Sequence, residues 1–190
     1  RAKEMIGWDQ KFPRVDMGNG KVRGVGVAMA MQGSSISNVD VGSVELRLND
    51  DGFYTLMIGA SDMGTGCDTI LAQIAAECLD CPMDQIVVHG TDTDVSPYDS
   101  GSYASSTTYL TGMAVVRACE DMKKKIISKG AEYLGCEEEN VDFDGQKVYQ
   151  LNEKGEISLS DIGNRVMCNN EDMLSAGATH SSPVSPPPFM

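Results

Sequence analysis

From residue 59 to 79 the chain reads GASDMGTGCDTILAQIAAECL, a glycine-broken polar loop running straight into an amphipathic stretch. Gly64, Thr65, Gly66 and Cys67 fall where the first turn of a helix leaves backbone N–H groups without intrahelical partners, at the positive end of the helix dipole. Such a place can receive an anion such as phosphate. Glycine lets the backbone approach a ligand closely, and Thr65 and Thr69 add hydroxyls. The plainer alternative is that Gly64 and Gly66 only permit a tight strand-to-helix turn, since an isolated glycine motif is weak evidence of a ligand. A second polar run, GTDTDVSPYDSGSYASSTTYL at residues 90–110, is dense in Ser, Thr, Asp and Gly. Its hydroxyls, among them Ser102, Ser105 and Thr107, could together hold the polar atoms of a ligand, although hydroxyls at a helix start more simply cap it, as for Ser105 and Ser106. Asp92 and Asp94 form an Asp-x-Asp that no EF-hand pattern continues, so turn chemistry explains them better than calcium does.

The elements that must position these loops are legible in the periodicity. Ile70, Leu71, Ile74, Ala75, Cys78 and Leu79 recur at three- and four-residue spacing and predict a helix, with Asp68 as its N-cap. Upstream, SVELRL (43–48) and FYTLMIG (53–59) are rich in β-formers and joined through Asn49, Asp50, Asp51 and Gly52, which predicts a hairpin. Pro82 begins a link to the strand-like QIVVH (85–89), and the longest helical stretch runs from Thr107 to about Lys129. Two strand–loop–helix units, at 53–79 and 85–129, would open two polar loops at one edge of a sheet, a favoured place for ligands. MGNGKVRGVGVAMAMQG (17–33) reads as a strand buried on at least one face. Its Gly24 and Gly26 lack the third glycine and the helix of a dinucleotide fingerprint. VDFDGQKVYQL (141–151) predicts a hairpin around Asp144 and Gly145, and EISLSDIGNRVM (156–167) a strand entering a short helix capped by Ser160. The expected class is α+β, a mixed or antiparallel sheet packed with helices.

A chain of 190 residues with 41% hydrophobic and 23% charged side chains is that of a folded globular protein. Its net charge of −13 argues against wrapping nucleic acid or anionic lipid. The one basic run, Lys123, Lys124 and Lys125, reads as the solvated face of a helix. No stretch approaches a membrane span and no signal peptide is recognisable, so a soluble cytoplasmic protein is expected. RAKEMIGW resembles the tail of a helix, and SSPVSPPPFM is a Pro-rich extended segment, which together suggest an internal piece of a longer polypeptide. Of the six cysteines, Cys78 and Cys81 make the single Cys-x-x-Cys, with His89 and His180 too isolated to complete a zinc site. All six are expected to be reduced and metal-free.

Read together, MGTGCDT (63–69), AQIAAECLDCP (72–82), the run 91–115 and the final SSPVSPPPFM resemble the molybdenum-cofactor-binding chain of the xanthine dehydrogenase and aldehyde oxidase family, over residues 22–190. The resemblance implies a molybdopterin-binding subdomain at 22–180, within which 137–180 could form a smaller lobe, preceded by the tail of another element at 1–21 and followed by a linker at 181–190. It also implies a large oxidoreductase that hydroxylates a purine, another N-heterocycle or an aldehyde. In that family a molybdenum held by molybdopterin carries oxygen from water, and iron–sulfur clusters and FAD on other domains or subunits take the electrons. The family's Met-Gly-Gln-Gly loop matches Met63, Gly64, Thr65 and Gly66, with Thr65 in place of the glutamine. Gly64, Thr65, Gly66, Cys67, Ser102, Ser105 and Thr107 are thereby the cofactor-facing candidates. Ala104 falls beside metal and substrate, with Tyr103 larger than the usual alanine. The family's general base, a glutamate in a later Gly-rich motif, has no counterpart here, so no catalytic residue or metal ligand is assigned, no cysteine is assigned to a cluster, and the isolated piece is expected to be inactive. Two other classes stay open: a non-enzymatic binding or scaffold module that kept the fold and lost the cofactor, for which Thr65 is the best argument, and a stand-alone phosphate-binding domain.

Overall fold

Four short elements open the chain: helices α1 (Ala2–Met5) and α2 (Trp8–Lys11), and strands β1 (Arg14–Asp16) and β2 (Val22–Gly24), paired antiparallel with Arg14 opposite Gly24. The computed structural model describes residues 1–30 and 34–183, and its contacts separate a first unit holding these elements from a second holding all the others. The stretch 17–33 is therefore not the buried strand its alternation predicts. Val22–Gly24 is exposed at every residue, and residues 31–33 lie outside the described ones. Glycine at alternate positions leaves little side chain to bury, and the pairing that forms is a local hairpin closed by Met17 N–H donating to Lys21 C=O at 2.9 Å. Val22 belongs to the first of these two units. RAKEMIGW holds the one-turn helix α1 and the first residue of α2, separated at Gly7, which has φ 64°.

In the second unit, β3 (Val41–Leu48) and β4 (Tyr54–Ile58) form the expected hairpin, with Leu48 opposite Tyr54. Its turn needs a left-handed residue and has one in Gly52, φ 85°. Helix α3 (Cys67–Leu79) and a turn of 3₁₀ helix then lead to β5 (Ile86–Gly90), which lies parallel to β4 with Tyr54 opposite Ile86. Helix α4 (Thr107–Leu134) is followed by β6 (Val141–Phe143), β7 (Lys147–Gln150) and β8 (Glu156–Ser158), an antiparallel sheet. Helix α5 (Leu159–Cys168) and strand β9 (Ser175–Ser181) complete the unit, β9 returning antiparallel to β3, so the larger sheet has the order β5-β4-β3-β9. The class is α+β with a mixed sheet, as expected.

The core lies between that sheet and the two long helices. Leu46, Leu48, Leu56 and Ile58 from the strands, Leu71, Ala75 and Leu79 from α3, and Ala114, Ala118, Met122 and Ile126 from α4 are each no more than 2% exposed. The four α4 residues repeat at every fourth position, which keeps them on one stripe. Each fully buried Leu, Ile or Met adds roughly 1.5–3 kcal/mol, and this burial fixes the α3 register that aims its N-terminus. At 28 residues α4 is about 42 Å long, enough to reach both sheets. It outruns its predicted end because Gly130 is not a stop but a contact: a Cβ there would meet the Val148 side chain on β7 at 2.7 Å. The helix ends instead at Gly135, φ 69°. α5 is capped by Ser158, whose Oγ accepts the Asp161 N–H at 3.1 Å, two residues earlier than the expected Ser160. Among the described residues no helix is long and apolar enough to cross a membrane.

Candidate functional site

Because β4 and β5 are neighbours and parallel, the loops that follow them leave from the same edge of the sheet. They are tied together there. Thr91 N–H donates to Ile58 C=O at 3.3 Å, Thr91 Oγ1 donates to Ala60 C=O at 3.1 Å, and Ser102 Oγ to Ser61 C=O at 3.3 Å. Gly59 makes the approach possible, since a Cβ on it would lie 2.2 Å from Pro97 C=O. Within the second loop, Asp99 accepts from Gly101 N–H at 2.8 Å and from the buried Thr111 hydroxyl of α4 at 3.1 Å. Asp92 accepts its own turn's Asp94 N–H at 3.0 Å, the turn chemistry expected of it.

Between the loops lies a cavity of about 250 Å³. Thr65, Cys67 and Ile70 form one side, and Ser102, Ser105, Ser106 and the first turn of α4, with Thr107 and Thr108, form the other. The structure thus gathers Thr65, Cys67, Ser102, Ser105 and Thr107 at one place. Gly64 and Gly66 shape the loop without lining the cavity, and Thr69 lies outside it. Tyr103 and Ala104 are on the loop but not on the cavity wall. Thr108 and Ser106 belong to the same hydroxyl run that drew attention to their neighbours, and Ile70 was read only as a core position. A wider depression of about 400 Å³ beside β7 is lined by charges of both signs, with Lys147 and Glu156 paired to each other, and has the character of solvated surface.

Of the two readings open for Gly64 to Cys67, the tight turn has the direct support: the chain's own carboxylate already meets two of these amides. Asp62 Oδ1 accepts Gly64 N–H at 2.8 Å and Gly66 N–H at 3.1 Å. These amides, with smaller contributions from Thr65 and Cys67, hold the Asp62 carboxyl below its ordinary range. Its signal was available: an Asp two residues before a glycine is a common side-chain-to-backbone turn. The N-cap is likewise Gly66, at φ 75° and with no side-chain cap bond. Asp68, one residue inside the helix, accepts instead from the Cys67 thiol at 3.5 Å. Ser106, at the start of α4, makes no cap bond either; its hydroxyl turns back to Tyr103 C=O at 2.8 Å.

Cys67 is 3% exposed, and burial together with Asp68 and Asp62 pushes its thiol up to about 11. It is therefore neutral at physiological pH. Asp62, Cys67 and Asp68 each bring one ligand atom within 4.8 Å of the others, but Asp62 is engaged by amides and Asp68 by the thiol, so the set is accounted for as loop structure.

A family model of the molybdopterin cofactor-binding domain matches residues 1–189. Among curated proteins, the chain is 36% identical to "Probable hypoxanthine oxidase XdhD" of Escherichia coli K12 over 165 residues, covering 87% of this chain and 17% of that protein. It is 28% identical to the xanthine dehydrogenase molybdenum-binding subunit of Escherichia coli O157:H7, covering 100% of this chain and 26% of the relative. The chain therefore spans about a fifth of the length of these relatives. Among solved structures, CO dehydrogenase from Oligotropha carboxidovorans superposes with a TM-score of 0.66 at 26% identity, over 75% of this chain and 18% of that one. Quinoline 2-oxidoreductase from Pseudomonas putida 86 shares the fold with a TM-score of 0.63 at 22% identity, over 75% and 19%.

Proposed function

The chain belongs to the molybdopterin cofactor-binding domain family, and from that premise we propose that it is the part of a xanthine dehydrogenase-like molybdenum hydroxylase that holds one flank of the cofactor. The supporting observation is the meeting of two hydroxyl-bearing loops at one cavity. The residues fit the group. Thr65, Ser102, Ser105 and Thr107 offer hydroxyls, which both donate and accept and so suit the alternating N–H, ring-nitrogen and carbonyl edge of a pterin. Ile70 supplies apolar contact for a ring face, and a cavity at the small end of ligand sites suits one edge of the cofactor rather than the whole. Among the described residues no Lys or Arg lines it, and Asp62 and Asp68 lie close to Cys67 on its wall; this favours the ring system over the phosphate.

When bound, the cofactor would supply the two-electron oxidation of a substrate carbon, with oxygen from water. The chain's own residues hold and orient it. Thr65 takes the place of the family's glutamine and offers a hydroxyl in its stead, while neutral Cys67 forms an uncharged wall. Tyr103 and Ala104 bound the loop on the side toward substrate. The substrate class is a purine or another N-heterocycle, a reading supported by the relatives' names. The general base, and the iron–sulfur and FAD groups that take the electrons, are assigned to other parts of the full-length chain or to partner subunits.

The experiment is molybdenum content per full-length chain, with hypoxanthine turnover, for wild type, T65V and S105A expressed where the cofactor is made. Near-stoichiometric molybdenum in wild type, falling in both variants, is expected. A full-length wild type that carries no molybdenum would favour the scaffold reading.

A further inference from the structure

Strand β3 runs past the end of β4. Its pairing with β4 stops at Val44 opposite Ile58, so on that side Val41, Gly42 and Ser43 have no β4 residue opposite them. The second loop fills the place. Asp99 forms an isolated antiparallel bridge with Gly42. Ser100 N–H and Ser100 Oγ both donate to Val41 C=O, at 3.0 and 3.1 Å, and the same Oγ accepts the Val41 N–H at 3.0 Å. The start of the loop is thereby held as a stub of strand against β3, just ahead of Ser102.

The far end of the same loop belongs to α4, and α4 meets β3 at Gly42. A Cβ on Gly42 would lie 2.5 Å from Thr111 Oγ1 and 2.8 Å from Thr111 N, so the missing side chain is what admits the helix. Thr111 stands one turn beyond Thr107 and Thr108 of the cavity wall and is 1% exposed. Its Oγ1 donates to Asp99 Oδ2 at 3.1 Å, while Asp99 Oδ1 accepts the Gly101 N–H at 2.8 Å. The Thr111–Asp99 bond closes a ring of chain from 99 to 111 that contains Ser102, Ser105, Ser106, Thr107 and Thr108, the whole of one side of the cavity. The backbone inside the ring is sharply bent, with Gly101, Ala104 and Ser105 at φ 111°, 50° and 54°. Non-glycine residues stay in the left-handed region only where surrounding contacts over-determine them. A hydrogen bond from a buried hydroxyl to a carboxylate is among the stronger contacts available for that purpose.

On the cofactor reading above, we propose that Thr111 is a positioning residue for this cavity: by binding Asp99 it clasps the two ends of the second loop together, so that Ser102 and Ser105 are held in fixed register with Thr107 on α4. The rival role is packing alone, with the Thr111 side chain filling space between α4 and β3. Two substitutions separate the roles. T111V keeps the shape and removes the hydroxyl, whereas T111S keeps the hydroxyl and removes a methyl.

Amide hydrogen exchange is measured on the full-length chain from cells unable to make the cofactor, and molybdenum content on the chain from cells that make it, for wild type, T111V and T111S. In T111V, exchange at the Ser100, Gly101 and Ser106 amides is expected to quicken about tenfold, the worth of one hydrogen bond to a charged group. The Leu46 and Leu56 amides of the sheet stay unchanged, and molybdenum content falls. T111S is expected to match wild type in both measurements. Wild-type exchange at the loop amides in T111V, T111S as fast as T111V, or Leu46 and Leu56 quickening by the same factor as the loop overturns the proposal in favour of packing. A loosened loop in T111V with molybdenum at the wild-type level overturns it as well, since the clasp then does not serve the cavity. Exchange that responds as expected in a protein whose wild type carries no molybdenum upholds the clasp on the loop and overturns the cofactor reading beneath it.

Discussion

Gly59 to Ala is the smallest change that should separate the two loops. The added methyl would lie 2.2 Å from Pro97 C=O, 2.8 Å from Asp99 Cβ and 3.1 Å from Asp99 N. Carbon–oxygen contacts normally close no nearer than about 3.3 Å, so the second loop must retreat by roughly 1 Å. The nearest atom is backbone, and no side-chain rotation can relieve it. Overpacking of this kind costs about 1–3 kcal/mol, and at about 2–4 °C per kcal/mol for a domain of this size the melting midpoint should fall by roughly 2–12 °C. A displacement of about 1 Å at a positioned ligand is enough for a hundredfold loss of activity. Calorimetry of G59A, with molybdenum content and turnover of the full-length variant, checks both. A variant that melts with wild type and keeps its molybdenum would refute the claim that the loops are locked together and that their spacing matters.

Leu71 to Ala, a fully buried change on α3 beneath the first loop, should cost about 2–5 kcal/mol by denaturant unfolding. Asp62 to Ala should speed amide exchange at Gly64 and Gly66, the two donors that Asp62 Oδ1 accepts. Because those amides lower the Asp62 pKa in the folded chain, the wild-type protection is complete above about pH 4 and is lost as the pH falls through the lowered value. Protection that persists in D62A would show that the carboxylate does not order the loop. Among the thiols, exposed Cys168 should react first with a disulfide reagent, and Cys119, buried and pushed up to about 12, only on unfolding, when the count should reach six.

What the sequence made legible was governed by local pattern. The β3–β4 hairpin followed from β-formers around an Asn-Asp-Asp-Gly turn, and the shared loop edge followed from two successive strand–loop–helix units, because parallel neighbours leave no other arrangement. The failures share a cause as well: each depended on a partner far along the chain or on a competition between near-equal side chains. Gly130 looks like a helix stop until Val148 is placed against it. Asp68 and Asp62 are both plausible donors' partners at the start of α3, and only the conformation of Gly64 and Gly66, at φ 97° and 75°, lets Asp62 reach the amides.

The resident carboxylate of Asp62 also bears on what the site selects. A helix start without a ligand leaves amides that need a partner, and here an exposed side chain provides one while bending Gly64 and Gly66 into a defined loop. An ordered loop loses less freedom when a ligand arrives, which is the usual benefit of preorganisation. The same carboxylate discourages a second anion: phosphate would have to displace Asp62 and approach Asp68 in a chain whose net charge is −13. What remains on offer at the cavity is neutral, the hydroxyls of Thr65, Ser102 and Thr107, the protonated thiol of Cys67 and the side chain of Ile70. On the proposed reading this divides the labour, with the uncharged rings held here and the phosphate held by residues elsewhere in the full-length chain.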